Sequence, residues 1–253
     1  MSTPVLWQFR SSHFNEKARW ALDWKGIPHL RRSLLPGWHV PRVMSLTRQT
    51  KVPVLVRDDG EVISDSTRII ERLEALQPDP PLYPADPAER RRALELEDFF
   101  DEELGPHARR VFFFEALDYP DYVVSLFADG DRPVMRALYR AAFPLNRAVM
   151  RFAMSIDAPH AEASRKHVDA ALERLETELR PSGYLVGDAF SVADLTAAAL
   201  VSPLLMPEEF PYPWPPIPEP VARWRRSHMG RPAFVWATEM YRRHRGRSAE
   251  VAT

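Results

Sequence analysis

The chain has no cysteine among its 253 residues, so it has neither a disulfide framework nor a thiolate metal site. Its first tyrosine is Tyr83, which leaves the amino-terminal third without a phenolic hydroxyl. No stretch reaches the roughly 18 uncharged apolar residues of a membrane span. Met1 to Pro4 lack the basic start of a secretory signal, and a soluble cytoplasmic protein is expected. Charge is balanced as well: 34 basic against 35 acidic residues give a net charge of -1, which argues against general attraction to nucleic acid or to a membrane surface. The histidines are scattered, with no pair at metal-ligand spacing and a third ligand nearby, so no metal is expected. No internal repeat is visible.

What is present is enough apolar residue for proper cores, 45% of the chain, and 25 prolines, about twice the usual share. The prolines are clustered. Pro78, Pro80, Pro81, Pro84 and Pro87 mark a break, and Pro203 through Pro220 mark a long extended connection. The break divides the chain into residues 1–82 and 83–253. In the first part, Pro4–Phe9 is a short apolar strand, and Phe14, Ala18, Ala21 and Leu22 recur at helical spacing, with Lys17 and Arg19 on other faces. Val52–Val56 and Glu61–Ile63 flank an Asp-Gly turn and form a hairpin. A helix with Ile69, Ile70, Leu73 and Leu76 follows. The order is β-α-β-α-β-β-α. The second part is helical throughout: 88–116, 133–154, 162–179, an all-apolar 192–205, then 221–228 and 232–243. The basic runs at Arg90–Arg92, Arg109–Arg110, Arg225–Arg226 and Arg242–Arg245 lie beside acidic residues and are expected on solvated faces.

Three junctions carry the chemistry. Ser11-Ser12-His13-Phe14 heads the first helix, Thr50-Lys51-Val52-Pro53 precedes a strand, and Ser64-Asp65-Ser66 opens the third helix. Each places small hydroxyls or backbone donors where unpaired N–H groups and a helix dipole favour an anion. Far downstream, Ser191 and Asp194 form a capping box, with Phe190 and Leu195 as its hydrophobic staple. Taken together, these segments resemble the glutathione transferase superfamily, in the manner of its soluble, bacterial, serine-type members. The likeness covers most of the chain, and 117–159 is its least familiar part.

That resemblance implies a thioredoxin-like α/β domain followed by an all-α helical bundle, and a transferase with glutathione as cosubstrate. Without cysteine, the branches that form a mixed disulfide with glutathione are set aside. With Trp7 or a neighbour where some branches carry tyrosine, the thiol-activating hydroxyl is Ser12, with Ser11 as second choice. His13 stands where related sequences often have proline and is expected to be a surface residue or a polar contact near the thiol. Val52 resembles the residue whose backbone pairs with the cysteinyl part of glutathione, before Pro53 in a cis bond. Asp65 and Ser66 resemble the pair that holds the γ-glutamyl end, and Lys51 or His39 resembles the glycyl contact. A small hydrophobic electrophile is expected against Phe14, His107, Arg110, Phe114 and Tyr119. Of Phe112, Phe113 and Phe114, not all can share one helix face. Isomerase, reductive-cleavage, peroxidase and low-turnover binding roles stay open on the same fold. A homodimer is implied, with the edge near Arg68, Ile69 and Arg90–Arg92 at its interface.

Overall fold

The computed structural model describes residues 3–130 and 132–251. The first part holds β1 (Val5–Gln8), α1 (His13–Trp24), β2 (Leu30–Ser33), α2 (Val40–Thr47), β3 (Val54–Val56), β4 (Val62–Ser64) and α3 (Ser66–Leu76). Its four strands lie in the order β2-β1-β3-β4. β1 and β2 are parallel, while β3 runs antiparallel to both β1 and β4. This is the thioredoxin-like arrangement. The helical part runs α4 (Pro87–Glu103), α5 (Gly105–Ala116), α6 (Pro120–Ala128), α7 (Pro133–Ala153), α8 (Ala158–Glu178), α9 (Val192–Leu205), α10 (Glu219–Arg226) and α11 (Pro232–His244). Among the described residues, no helix is long and apolar enough to cross a membrane.

Local chemistry accounts for the helix starts. Asp86 caps α4, its Oδ1 accepting from the N–H groups of Ala88 and Glu89 at 2.9 Å each, with Pro87 at the first helical position. Asp194 accepts from the backbone N–H of Ser191 at 2.9 Å and from its hydroxyl at 2.8 Å, closing the capping box of α9. Every residue of α9 is buried, so this helix is the axis of the bundle and packs against α1, α4 and α11.

The expected helix over 88–116 is two helices. The break at Leu104–Gly105 lets α5 approach α1: a Cβ on Gly105 would stand 2.5 Å from the Phe14 ring. Gly105→Ala is therefore expected to destabilise the fold by about 1–3 kcal/mol through overpacking, measured by denaturant unfolding; an unchanged midpoint would contradict this contact. Pro203 lies inside α9 and Pro220 inside α10, so the extended connection is shorter than expected. Lys17 and Arg19 lie off the apolar stripe of α1, yet neither reaches solvent. α1 sits between the sheet and the helical bundle, and both side chains are fully buried. Arg245 departs from the basic-run reading too, being 2% exposed, and Arg109 is half-buried. Ile69 is buried in the protein's own core rather than on an open edge.

Candidate active site at one end of the sheet

Sheet register brings the three junctions together. β1 pairs with β3 so that Trp7 lies opposite Val54. Continuing that antiparallel register sets Gln8 level with Pro53 and Phe9 level with Val52. The N–H of Asp65 donates to Pro53 O at 3.3 Å, which ties the start of α3 to the same point. The Val52–Pro53 bond is cis. Ser12 closes the turn after β1, its N–H donating to Phe9 O at 3.3 Å.

Ser12 is the N-cap of α1, with Oγ accepting from the Asn15 N–H at 3.4 Å. A cap uses a lone pair of the hydroxyl oxygen and leaves the O–H free to donate. Capping and donation to an anion are thus compatible at one serine. The turn is held from below by Arg19, which donates to Phe9 O at 3.2 Å, Ser12 O at 3.3 Å, Gln8 Oε1 at 2.6 Å and Glu16 Oε2 at 2.7 Å. Arg10 lies over the Tyr212 ring at 4.3 Å, so the proline-rich segment after α9 reaches this turn as well.

Asp65 caps α3, with Oδ1 accepting from Thr67 N at 2.9 Å and Arg68 N at 3.4 Å. Its φ is +84°, a region uncomfortable for any residue but glycine. Ser66 is buried at the first turn of α3. Lys51, two residues before Pro53, is exposed. His39 spends both ring nitrogens internally: Nδ1 accepts from Gly37 N at 3.1 Å, so Nε2 carries the proton and donates to Thr50 O at 2.9 Å. Its ring packs edge-on to Phe9 at 4.8 Å, and burial lowers its pKa.

His13 is neither on the surface nor free to meet a ligand. It is 3% exposed, and its Nε2 lies 2.9 Å from Gly105 O, linking α1 to α5. Burial first, and the nearby Arg109 second, push its pKa down to about 3. The unfolded value is near 6.5, so neutral His13 contributes stability that is fully present above pH 6.5 and lost as pH falls toward 3. From pH 6 to pH 4 the wild type should lose about 2–3 kcal/mol more than His13→Gln. Urea titrations at the two pH values test this, and parallel losses would contradict it.

Two of the residues expected along the electrophile, His107 and Arg110, have partners of their own. His107 Nδ1 lies 3.1 Å from Ser164 Oγ, while Arg110 donates to Met154 O at 2.9 Å and Ser164 Oγ at 2.8 Å. Both therefore face α8. Tyr119 is exposed at the start of α6, and Phe114 is only partly buried. The α5 face toward α1 is instead Gly105, Arg109 and Phe113, one turn apart each. Gly105 meets His13 and Phe14, Arg109 lies 6.0 Å from the Phe14 ring, and Phe113 stacks on Phe127 at 6.1 Å. Phe127 in turn meets Phe9 at 5.9 Å.

The histidines are also less scattered than their spacing suggests. Glu103, His107 and His167 bring donor atoms within 4.8 Å of one another. His167 Nδ1 lies 2.7 Å from Glu103 Oε2, and the two imidazoles stack at 3.9 Å. A third donor therefore does lie beside a histidine pair in the fold, where the spacing in sequence shows none.

The sequence pattern of the glutathione S-transferase N-terminal domain matches residues 6–81, and that of the C-terminal domain matches residues 158–227. A stretch of 92 residues, 36% of the chain, is 36% identical to a protein of Caenorhabditis elegans named probable maleylacetoacetate isomerase; it spans 42% of that relative, under half its length. A stretch of 201 residues, 78% of the chain, is 26% identical to FtsZ-localized protein A of Caulobacter vibrioides and spans 75% of it. Among solved structures, a glutathione S-transferase of Methylobacterium radiotolerans in complex with glutathione sulfonate superposes with a TM-score of 0.58 at 22% identity, over 94% of this chain and 95% of that one.

Proposed function

Because the chain belongs to the glutathione S-transferase superfamily, we propose that it is a cytoplasmic, homodimeric glutathione transferase in which Ser12 activates the thiol. The observation that carries this is the meeting of Ser12, Val52–Pro53 and Asp65–Ser66 at one end of the sheet. Glutathione lies across that end. Its γ-glutamyl carboxylate takes the N-terminus of α3 at Ser66, and its ammonium opposes Asp65. The cysteinyl backbone pairs with Val52 and the glycyl carboxylate meets Lys51; His39 joins that contact only by giving up Thr50 O. The Ser12 hydroxyl then donates to the thiolate sulfur. The thiol proton leaves to water, and sulfur attacks a small electrophile at its apolar end.

Removing Asp65 and Ser66 side chains leaves ligand charges unpaired, so Asp65→Ala/Ser66→Ala should weaken glutathione binding by about tenfold or more. Calorimetry checks this, and absence of wild-type binding at millimolar glutathione would sink the site. A second reading, a ligand-binding protein that turns over little, draws support from the relative named for its localisation with FtsZ. Turnover of an electrophile panel beside the measured glutathione affinity separates the two.

A further inference from the structure

Arg109 is an anomaly in the wall that faces α1. Its Nε is sealed from solvent without a hydrogen-bond partner, and among the described residues no carboxylate forms an ion pair with it. The charged or titratable groups acting on or near it are Arg110 and His13, and burial joined by Arg110 pushes its pKa down with no acid opposing. A guanidinium stays charged in any ordinary protein setting, and half-burying that charge, with its Nε sealed and no counterion beside it, is unfavourable. Around it the packing is aromatic: half-buried Phe14 beside it, buried Phe113 one turn along α5, then buried Phe127 and half-buried Phe9. The anionic ends of glutathione are directed elsewhere in the proposed pose, toward α3 and Lys51.

We infer that the second substrate is itself an anion, with a carboxylate or similar group on an aromatic or otherwise apolar body, and that Arg109 supplies the missing counter-charge. The inference rests on the glutathione-transferase reading and specifies its substrate class. The carboxylate takes the guanidinium, the apolar body lies along Phe113 and Phe127, and the electrophilic carbon comes to the sulfur at Ser12.

The probes are 4-chloro-3-nitrobenzoate and its methyl ester. In each, the glutathione sulfur forms a bond to the chlorine-bearing carbon, the C–Cl bond breaks, chloride leaves with the electron pair, and the thiol proton goes to water. With each rate divided by its uncatalysed value, the wild type should prefer the acid. Arg109→Met should lower that acid-to-ester ratio of kcat/KM by about tenfold or more, and Arg109→Lys by less. Calorimetry of the acid without glutathione gives a second readout: binding to the wild type, lost in Arg109→Met, with ester binding retained. A protein with no glutathione turnover sinks the transferase reading, while the calorimetry still decides the Arg109 site. Equal affinity of wild type and Arg109→Met for the acid overturns the inference, as does an unchanged rate ratio.

A separate observation concerns assembly. α6 and α7 lie between the two stretches that match the family patterns, and α7 carries a seam of exposed apolar residues in heptad spacing. Met135, Ala142 and Val149 alternate with Leu138, Leu145 and Phe152, of which Leu145 is 70% and Phe152 90% exposed. The exposed flanking positions Val134, Ala141, Ala148 and Ala153 bear no charge, while Tyr139 and Asn146 turn into the protein's own core. The helix's arginines lie on another arc, with Arg140 on Asp121, Arg136 on Asp129, and Arg147 and Arg151 on Asp118. A seam without flanking charges neither selects an oppositely charged partner nor repels its own copy. We propose that a second copy of this chain covers it, the two α7 helices antiparallel about a two-fold axis near residues 143 and 144. Each layer then sets a larger side chain against a smaller or flexible one: Leu145 against Ala142, Leu138 against Val149, Phe152 against Met135.

Light scattering should report twice 29.1 kDa. Leu138→Glu/Leu145→Glu should halve that mass without changing the melting temperature of the folded protomer, while Val235→Glu on α11 leaves it intact. A monomeric wild type overturns this interface, and so does a dimer that the double variant leaves whole.

Discussion

Lys17→Met is expected to destabilise the protein by about 3–5 kcal/mol, the usual result of stripping one partner from a buried ion cluster. Lys17 Nζ lies 2.7 Å from Glu97 Oε1, 2.6 Å from Asp101 Oδ2 and 2.8 Å from Thr67 Oγ1. Thr67 in turn donates to Asp101 at 2.8 Å. The cluster joins α1, α3 and α4, and so locks the helical bundle onto the sheet directly behind Asp65–Ser66. Lys17 and Glu97 are both fully buried. Burial acts to lower the Lys17 pKa, but Glu97 and Asp101 outweigh it, and the ammonium is held charged. Burial raises the Glu97 pKa against the pull of Lys17, as befits two carboxylates sharing one cation. Denaturant unfolding measures the loss. Adding Glu97→Leu to Lys17→Met should restore more than half of it, because the orphaned charge is then removed. A loss below about 1 kcal/mol in the single variant would mean that the cluster contributes little.

Ser12→Ala is expected to raise the pKa of bound glutathione thiol by about two units, toward the free value near 8.5. That shift corresponds to about 2.7 kcal/mol, within the roughly 1.5–3 kcal/mol of one hydrogen bond to a charged group, which the substitution removes. At pH 7 the thiolate fraction would fall about 25-fold. A more basic thiolate is also a better nucleophile, by about eightfold over two units for a Brønsted slope near 0.45. The rate constant at pH 7 should therefore drop by between about threefold and 25-fold, depending on how much bond formation the transition state contains. Glutathione affinity should change little, since its other contacts persist. Losing the cap to Asn15 N should lower stability by about 1 kcal/mol. Ser11→Ala should affect none of these as strongly, and Ser12→Cys would give the chain its only thiol and a route to mixed disulfides.

Much of this architecture is legible in local sequence. Strand periodicity, the Asp58–Gly60 turn, the Asp65 and Ser191–Asp194 caps and the uninterrupted apolar run of α9 depend on neighbours within a few residues, and the structure has them in place. What local pattern conceals is burial decided at a distance. Lys17 finds its partners at Glu97 and Asp101, some 80 residues on. Glu16, Asp23 and Arg31 are buried with Arg245, which bonds Glu16 and, at 2.8 Å, Asp23. No periodicity announces such pairings, so polar residues that line a domain interface look like a solvated face. The same holds for Arg19, whose charge hides its role beneath the Ser12 turn, and for Arg109. The placement of α6 and α7 was equally unreadable, because Trp38 meeting Tyr139 at 5.6 Å is a contact between segments a hundred residues apart.

The most direct test of the central claim is an ultraviolet titration of glutathione thiolate bound to wild type and to Ser12→Ala. Wild type should show bound thiolate titrating near pH 6.5, about two units below free glutathione, and Ser12→Ala should titrate close to the free thiol. Identical titrations, with the thiolate signal lost in Ser11→Ala instead, would contradict the assignment of thiol activation to Ser12.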